Sequence, residues 1–373
     1  MPLTGIGIHD SPHCPDKSRP GFESWQGKGA DGKAGSDTLI IHHNGHGPCN
    51  GESKESPGRS TDCTDCTPNF DTAQDWLNQL GFDVMEVFMP LHGCNRIVAN
   101  ESCSARHCVS NTTRGFDCSK CKPLGRGNSM VGSHQWFDQF EEMGDEAMRY
   151  FLEPVVLAVN YGKALGYKHI VMAGLSGGGW TTTISAAIDP RITLSMPIAG
   201  SMPKVRSKLY PHYVPDMPGS HGVEGASGDW EQNALPVHGE GLPGQKTGGR
   251  PFYTACGWAC LYVLAATPAE KVDPPRFTLQ MVHEWDSCCF HAGNLHANIS
   301  HYNSFVQSQL PAGGQSWFQT SANLGNYHEI NYRDKVTLGV MIERLRRSGP
   351  NSLKRSHFED LPFNVIENDW GGK

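Results

Sequence analysis

The sequence predicts an α/β fold, a mostly parallel sheet with helices on both faces, and three observations predict it. Short β-branched, apolar runs alternate along the chain with helix-forming runs. At one junction, "HIVMAGLSGGGWTTTISAAI" (His169 to Ile188), a buried strand passes through a glycine-rich turn straight into a helix. The chain of 373 residues, 38% hydrophobic and 18% charged, carries enough apolar material for one large domain over residues 1–373.

Taken in order, "DTLIIHH" (Asp37 to His43) reads as a first strand ending in the sharp turn "NGHGPCNG". "DTAQDWLNQLG" is an amphipathic helix stopped by Gly81, and "FDVMEVFMPL" (Phe82 to Leu91) is a second buried strand. Residues 93–132 lack periodicity and are rich in cysteine and turn residues, so they form an insertion. A long helical stretch follows from about Ser133 to Leu165, with a break or kink expected at Pro154. "HIVMAGL" is a strand, "GWTTTISAAI" a helix and "ITLSMPIAG" (Ile192 to Gly200) a strand. Residues 201–253 turn to Gly, Pro and His and read as a cap or lid over the sheet's carboxyl edge. "GWACLYVLAATP" is helical, "RFTLQMVHEW" a strand, "LHANISHYNSFVQSQL" helical, "QSWFQTS" a strand and "YRDKVTLGVMIERLRRS" the last long helix.

Composition narrows the function. A formal net charge of −7 argues against a nucleic-acid partner, which needs clustered Lys and Arg; the short "RLRRS" (Arg344 to Ser348) reads as a solvated helix end. No apolar run approaches the roughly 20 residues that cross a bilayer, and "MPLTGIGIHDSPHC" lacks the basic start and apolar middle of a secretory signal. Of thirteen cysteines, nine fall between Cys14 and Cys121, a density that suits disulfides in a secreted protein or another oxidising compartment. Sequons at Asn100, Asn111 and Asn298 are compatible with that but add little. A competing reading makes "CTDC" (Cys63, Cys66) and "CSKC" (Cys118, Cys121) a four-thiolate zinc site and an interaction surface.

The glycine-rich turn carries the chemistry. No Lys follows the glycines as a Walker loop requires, and "GLSGGG" misses the dinucleotide fingerprint in register. What remains is G-x-S-x-G, Gly174 to Gly178, with Ser176 on a strained strand-to-helix turn. A serine hydroxyl needs a base and an acid to orient that base. Asp286, just past the strand "RFTLQMV", and His328, in the loop before the last long helix, stand where they would serve. Glu284, Asp216 and Asp229 are competing acids. Gly177 and the turn Asn44, Gly45, His46 are the expected backbone donors to an oxyanion. Trp180, and Trp230 in the excursion, are the expected substrate contacts. Cys288 and Cys289, beside the acid, are expected to anchor that loop by disulfides to Cys256, Cys260 or the insertion.

Through "IIHHNGHG", "MPLHGCN", "GLSGGGW", "HEWDSCCF" and "NYHEI" the sequence resembles the α/β-hydrolase superfamily, in particular its secreted-type esterases with a large cap. The resemblance implies an eight-stranded sheet and acyl transfer to water through an acyl-serine, with no metal or organic cofactor. The aromatics and histidines of the excursion, Tyr210, His212, Tyr213, His221 and Trp230, suit a small-molecule or carbohydrate-linked ester as the substrate. An acyltransferase or peptidase with the same triad, and a catalytically silent binding module on the same fold, are the alternatives.

Overall fold

The computed structural model describes residues 37–43, 45, 82–90, 106–107, 122–123, 146–201, 256, 258–270, 274–284, 286, 296–312, 314–323 and 328–356. Its strands are β1 (Thr38–His43), β2 (Asp83–Val87), β3 (Arg106–His107), β4 (Lys122–Pro123), β5 (His169–Leu175), β6 (Ile192–Ile198), β7 (Phe277–His283) and β8 (Trp317–Asn323). The helices are α1 (Met148–Ala164), α2 (Gly177–Ile188), α3 (Trp258–Ala266), α4 (His296–Gln309) and α5 (Tyr332–Ser348). None of the described helices is long and apolar enough to cross a membrane.

Six strands form one wholly parallel sheet in the order β2-β1-β5-β6-β7-β8. Eight strands were expected in it; among the described residues there are six, and β3 and β4 pair only with each other, antiparallel, inside the Cys-rich insertion. The rest of that insertion, the helix expected at 71–81 and nearly all of the excursion 201–253 lie outside the described residues.

Parallel strands need crossovers, and crossovers cover both faces, so β1, β6 and β7 are buried along their whole length. Side chains alternate between the two faces. Leu39, Ile41, Ile170 and Met172 pack with Val155, Ala158 and Val159 of α1, Ala186 of α2 and Ala265 of α3. Ile40, Val84, Val171, Phe277, Leu279 and Met281 point the other way, onto Leu338, Met341, Ile342 and Leu345 of α5. Those four residues recur at helical spacing, which is why the "RLRRS" end of α5 exposes charge while its inner stripe is dry. Helix α1 runs through Pro154 without the break that was one of the two expectations there. Pro154 is buried on the side that also buries Phe151 and Ala158, and that packing offsets the one lost backbone bond.

Buried polar groups tie the elements together. The Arg276 guanidinium, ahead of β7, donates to Ile192 O (3.0 Å), Leu264 O (2.9 Å), Thr267 O (2.7 Å), Asp189 O (3.2 Å) and Ala186 O. It thereby binds carbonyls at the ends of α2 and α3, two of which, Asp189 O and Leu264 O, also accept a backbone N–H. Burial pulls its pKa down to about 10, which leaves it charged at neutral pH. Gln280 of β7 donates to Ser201 O, Ser201 Oγ and Tyr262 Oη, and accepts from Thr320 Oγ1 of β8. Cys256 and Cys260 are disulfide-bonded to each other at the start of α3. Neither is therefore left to anchor Cys288 or Cys289, which corrects that part of the expectation; the insertion cysteines named as the other partners lie outside the described residues.

His42 of β1 yields a pH prediction. It is buried, Glu86 Oε1 stands 3.9 Å from its Nδ1, beyond hydrogen-bond reach, and burial pushes its pKa down from 6.5 to about 4. Between those values the unfolded chain takes up a proton that the folded chain refuses. The stability His42 supplies is therefore present above pH 6.5 and lost progressively as pH falls to about 4, reaching about 3 kcal/mol. His42→Leu should flatten that part of the profile, read by urea unfolding of parent and variant at matched pH values. Parallel profiles would refute the assignment.

Candidate active site

Because the sheet is parallel, the carboxyl ends of β1, β5, β7 and β8 share one edge, and Ser176, Gly177, Asn44, Gly45, His46, Asp286 and His328 each follow one of them in the chain. The chain runs outward from β1 to β2 on one side and from β5 to β8 on the other. The crevice past the ends of β1 and β5 is thus the switch point at which open α/β sheets bind ligands.

Ser176 sits at this point, between the last residue of β5 and the first of α2, with φ 58° and ψ −125°. A non-glycine residue in this region is held there by its surroundings. Its N–H donates to Ile198 O of β6 (2.9 Å) and its carbonyl accepts from Trp180 N (2.9 Å). The surroundings are backbone. A Cβ on Gly178 would stand 2.0 Å from His43 O, and one on Gly174 would stand 2.6 Å from the same oxygen. The turn is glycine-rich because β1 presses its end against the start of α2. A parallel sheet in this order, with a strained serine between β5 and the helix after it, is the architecture of the α/β-hydrolase fold.

No family model matches the sequence, and no curated protein is similar to it. Solved structures with a similar chain path include Est1E from Butyrivibrio proteoclasticus, 11% identical over 85% of this chain and 92% of that one, with a TM-score of 0.38. Esterase PE8 is 11% identical over 83% and 93%, at 0.36. A puromycin-hydrolyzing peptidase of Mycobacterium tuberculosis is 12% identical over 85% and 35%, at 0.38. The assignment of the fold rests on this chain's own strand order and strand-to-helix turn.

Gly177 opens α2, so its N–H has no acceptor within the helix and lies at the positive end of the helix dipole. Gly45 leans over the same end. With φ +58°, it leaves no room for a side chain, since a Cβ would stand 2.5 Å from Leu175 O and 2.7 Å from Gly178 N. Its own N–H was expected to face a substrate and instead donates to His43 Nδ1 at 3.1 Å. That bond makes His43 Nδ1 an acceptor, so in the neutral ring the proton sits on Nε2. His43 therefore shapes the turn, a role not assigned from the sequence, where the adjacent His-His-Asn-Gly was the available signal. Asn44 and His46 lie outside the described residues.

Asp286 follows β7 and is 1% exposed; its Oδ2 lies 2.8 Å from His328 Nδ1. The His328 side chain is 19% exposed, although its Nε2 atom is itself buried. A carboxyl group at Nδ1 holds the ring's orientation and leaves Nε2 as the proton-transfer nitrogen. Glu284 is also buried, but the carboxyl bonded to His328 is that of Asp286. Asp216 and Asp229 are outside the described residues.

Trp180 is not a surface contact for substrate. It is fully buried, edge-on to Phe151 with ring centres 5.5 Å apart, and packs with Ile184, Leu261 and Tyr262. One helical turn beyond Ser176, it points down into the core and supports the start of α2 from beneath. Trp230 lies outside the described residues, as do Cys63, Cys66, Cys118, Cys121, Cys288 and Cys289. Among the described residues no group of three His, Cys, Asp or Glu side chains is placed to hold a metal ion.

Proposed function

We propose that the chain is a serine hydrolase acting on carboxylic esters, with Ser176 as nucleophile, His328 as base and Asp286 as the acid that orients it. One observation carries the reading: the Asp286–His328 hydrogen bond lies at the sheet edge where Ser176 occupies its strained turn.

The chemistry follows from the residues. Ser176 Oγ attacks the ester carbonyl carbon while His328 Nε2 takes its proton, and Asp286 stabilises the imidazolium that results. The carbonyl π electrons move onto oxygen, which the Gly177 N–H stabilises together with a second donor from the turn after β1. Gly45 N–H is engaged by His43, which leaves Asn44 and His46 to supply it. As the intermediate collapses the C–O bond to the alcohol breaks, His328 protonates the alcohol, and an acyl-serine remains. Water then repeats the sequence, with His328 as base, to release the carboxylic acid and restore Ser176. The Cys256–Cys260 disulfide supports an oxidising compartment.

The test is a panel of p-nitrophenyl esters of increasing chain length, run beside acetylated and feruloylated sugars, peptides and acyl acceptors. Asp286→Asn should fold normally and lower kcat by about 10⁴-fold on any ester the parent cleaves, because the amide favours the wrong imidazole tautomer. Glu284→Gln should cost less than about tenfold by the same reasoning. If Glu284→Gln is the crippling change and Asp286→Asn the mild one, the acid is wrongly assigned.

A further inference from the structure

A second buried pair lies beside the first. His283, the last residue of β7, and Asp334, in the first turn of α5, are both fully buried, with His283 Nε2 2.8 Å from Asp334 Oδ2. The same Oδ2 accepts the N–H of Asn331 at 2.9 Å, and Asn331 Oδ1 in turn accepts from Arg333 N (2.9 Å) and Asp334 N (3.0 Å). This is a capping box, and by itself it needs nothing from β7. The histidine is an addition to it.

We propose that His283 is a positioning residue for the general base, a role that rests on the serine-hydrolase reading above. His283 stands three residues before Asp286, and Asn331 three residues after His328, so two hydrogen-bonded pairs join the same two segments, Asp286 to His328 and His283 to Asp334. His283 is also in register with Asn323, the last residue of β8. His328 therefore lies between two points of the chain that His283 holds, one by the strand ladder and one by the helix cap. Removing His283 frees the start of α5 to shift against the end of β7, and His328 shifts with it.

Energetics favour a geometric role over a stabilising one. Taking two polar or charged groups out of water consumes most of what their attraction returns, and an apolar pair of similar volume would pack as well. The neighbours on this face, Met281 of β7 and Leu338 of α5, are such apolar residues. What an apolar pair cannot supply is direction: a hydrogen bond sets α5 against β7 to within a few tenths of an ångström, and a misplacement of about 1 Å at a reacting group costs about 10²-fold in rate.

Three variants test this, alongside a substrate-free readout. His283→Leu should lower kcat by about 10²-fold while KM on a p-nitrophenyl ester stays within about twofold. His283→Gln, whose amide N–H reaches as far as the imidazole Nε2, should restore kcat to within about tenfold of the parent. His283→Leu combined with Asp334→Asn keeps an acceptor for Asn331 and leaves no carboxyl stranded; it should melt near the parent yet stay as slow as His283→Leu. It also carries the test if the single leucine variant does not fold. The far-downfield proton resonance of His328 Nδ1–H against Asp286 should be present in the parent and lost or shifted in the double variant. Parental kcat in the double variant, or an unaltered resonance there, would overturn the proposal. Absence of both turnover and fluorophosphonate labelling in the parent would count against the hydrolase reading, while the resonance still decides the placement of His283.

Discussion

Ser176→Ala is expected to abolish ester turnover, by about 10⁴-fold or more, because the acyl-enzyme has no other atom on which to form. A fluorophosphonate should label the parent at Ser176 and leave the variant untouched, since the probe needs a hydroxyl activated by a base and facing oxyanion donors. Stability should change by less than about 1 kcal/mol. Alanine at 176 inherits the same positive φ, and the backbone bonds to Ile198 O and Trp180 N involve no side-chain atom. Full activity of Ser176→Ala on an ester the parent cleaves would end the acyl-serine mechanism and reduce the glycine-rich stretch to a turn.

Gly178→Ala should be as damaging to the fold as Ser176→Ala is to the chemistry. The added Cβ would lie 2.0 Å from His43 O and 2.9 Å from His43 C, and 3.0 Å from Gly45 N. All three are backbone atoms of β1 and the turn after it, so no rotamer change relieves the overlap. Helix α2 and β1 must part, in a region where the strand is buried on both faces. The expected loss is about 4 kcal/mol or more, enough to leave little folded protein, measured by thermal or denaturant unfolding. Gly166→Ala is the control. Gly166 has φ +90° with nothing within 4 Å of the added atom, so it should cost only the backbone strain, about 1 to 2 kcal/mol. If the two variants melt together, β1 does not press on α2 as described.

The signals of the candidate site are legible in the sequence where they are local. A strand that ends where a helix begins shows as a change of period from "HIVMAGL" to "TTTISAAI", and the glycines between them can be read without knowing what they touch. Asp286 and His328 were found by a similar route, from their places just past late strands, and the structure puts them 2.8 Å apart. Trp180 was misread for a related reason. An aromatic one turn from a candidate nucleophile looks like a substrate contact, yet helical geometry turns that position into the core, where Phe151 of α1 waits. Pro154 is a helix breaker by its local effect, yet α1 continues through it with the proline buried on the side of Phe151 and Ala158.

Gly45 shows what no local pattern contains. Its glycine follows from φ +58° and from the start of α2 lying against it, but the donation of its N–H to His43 depends on a side-chain orientation that the letters do not encode. Cys256 and Cys260 pair with each other, where spacing alone left Cys288 and Cys289 as equal partners. The sequence by itself determined the alternation of strands and helices, the strained serine turn and the stripes that α1 and α5 bury, because each is set by residues within a few positions of one another. Only the tertiary structure decided that β1 lies beside β5, that His283 reaches Asp334, and which acid meets His328. Those are contacts between residues distant in the chain, selected by which packing buries all the apolar faces at once, and that is a property of the whole fold.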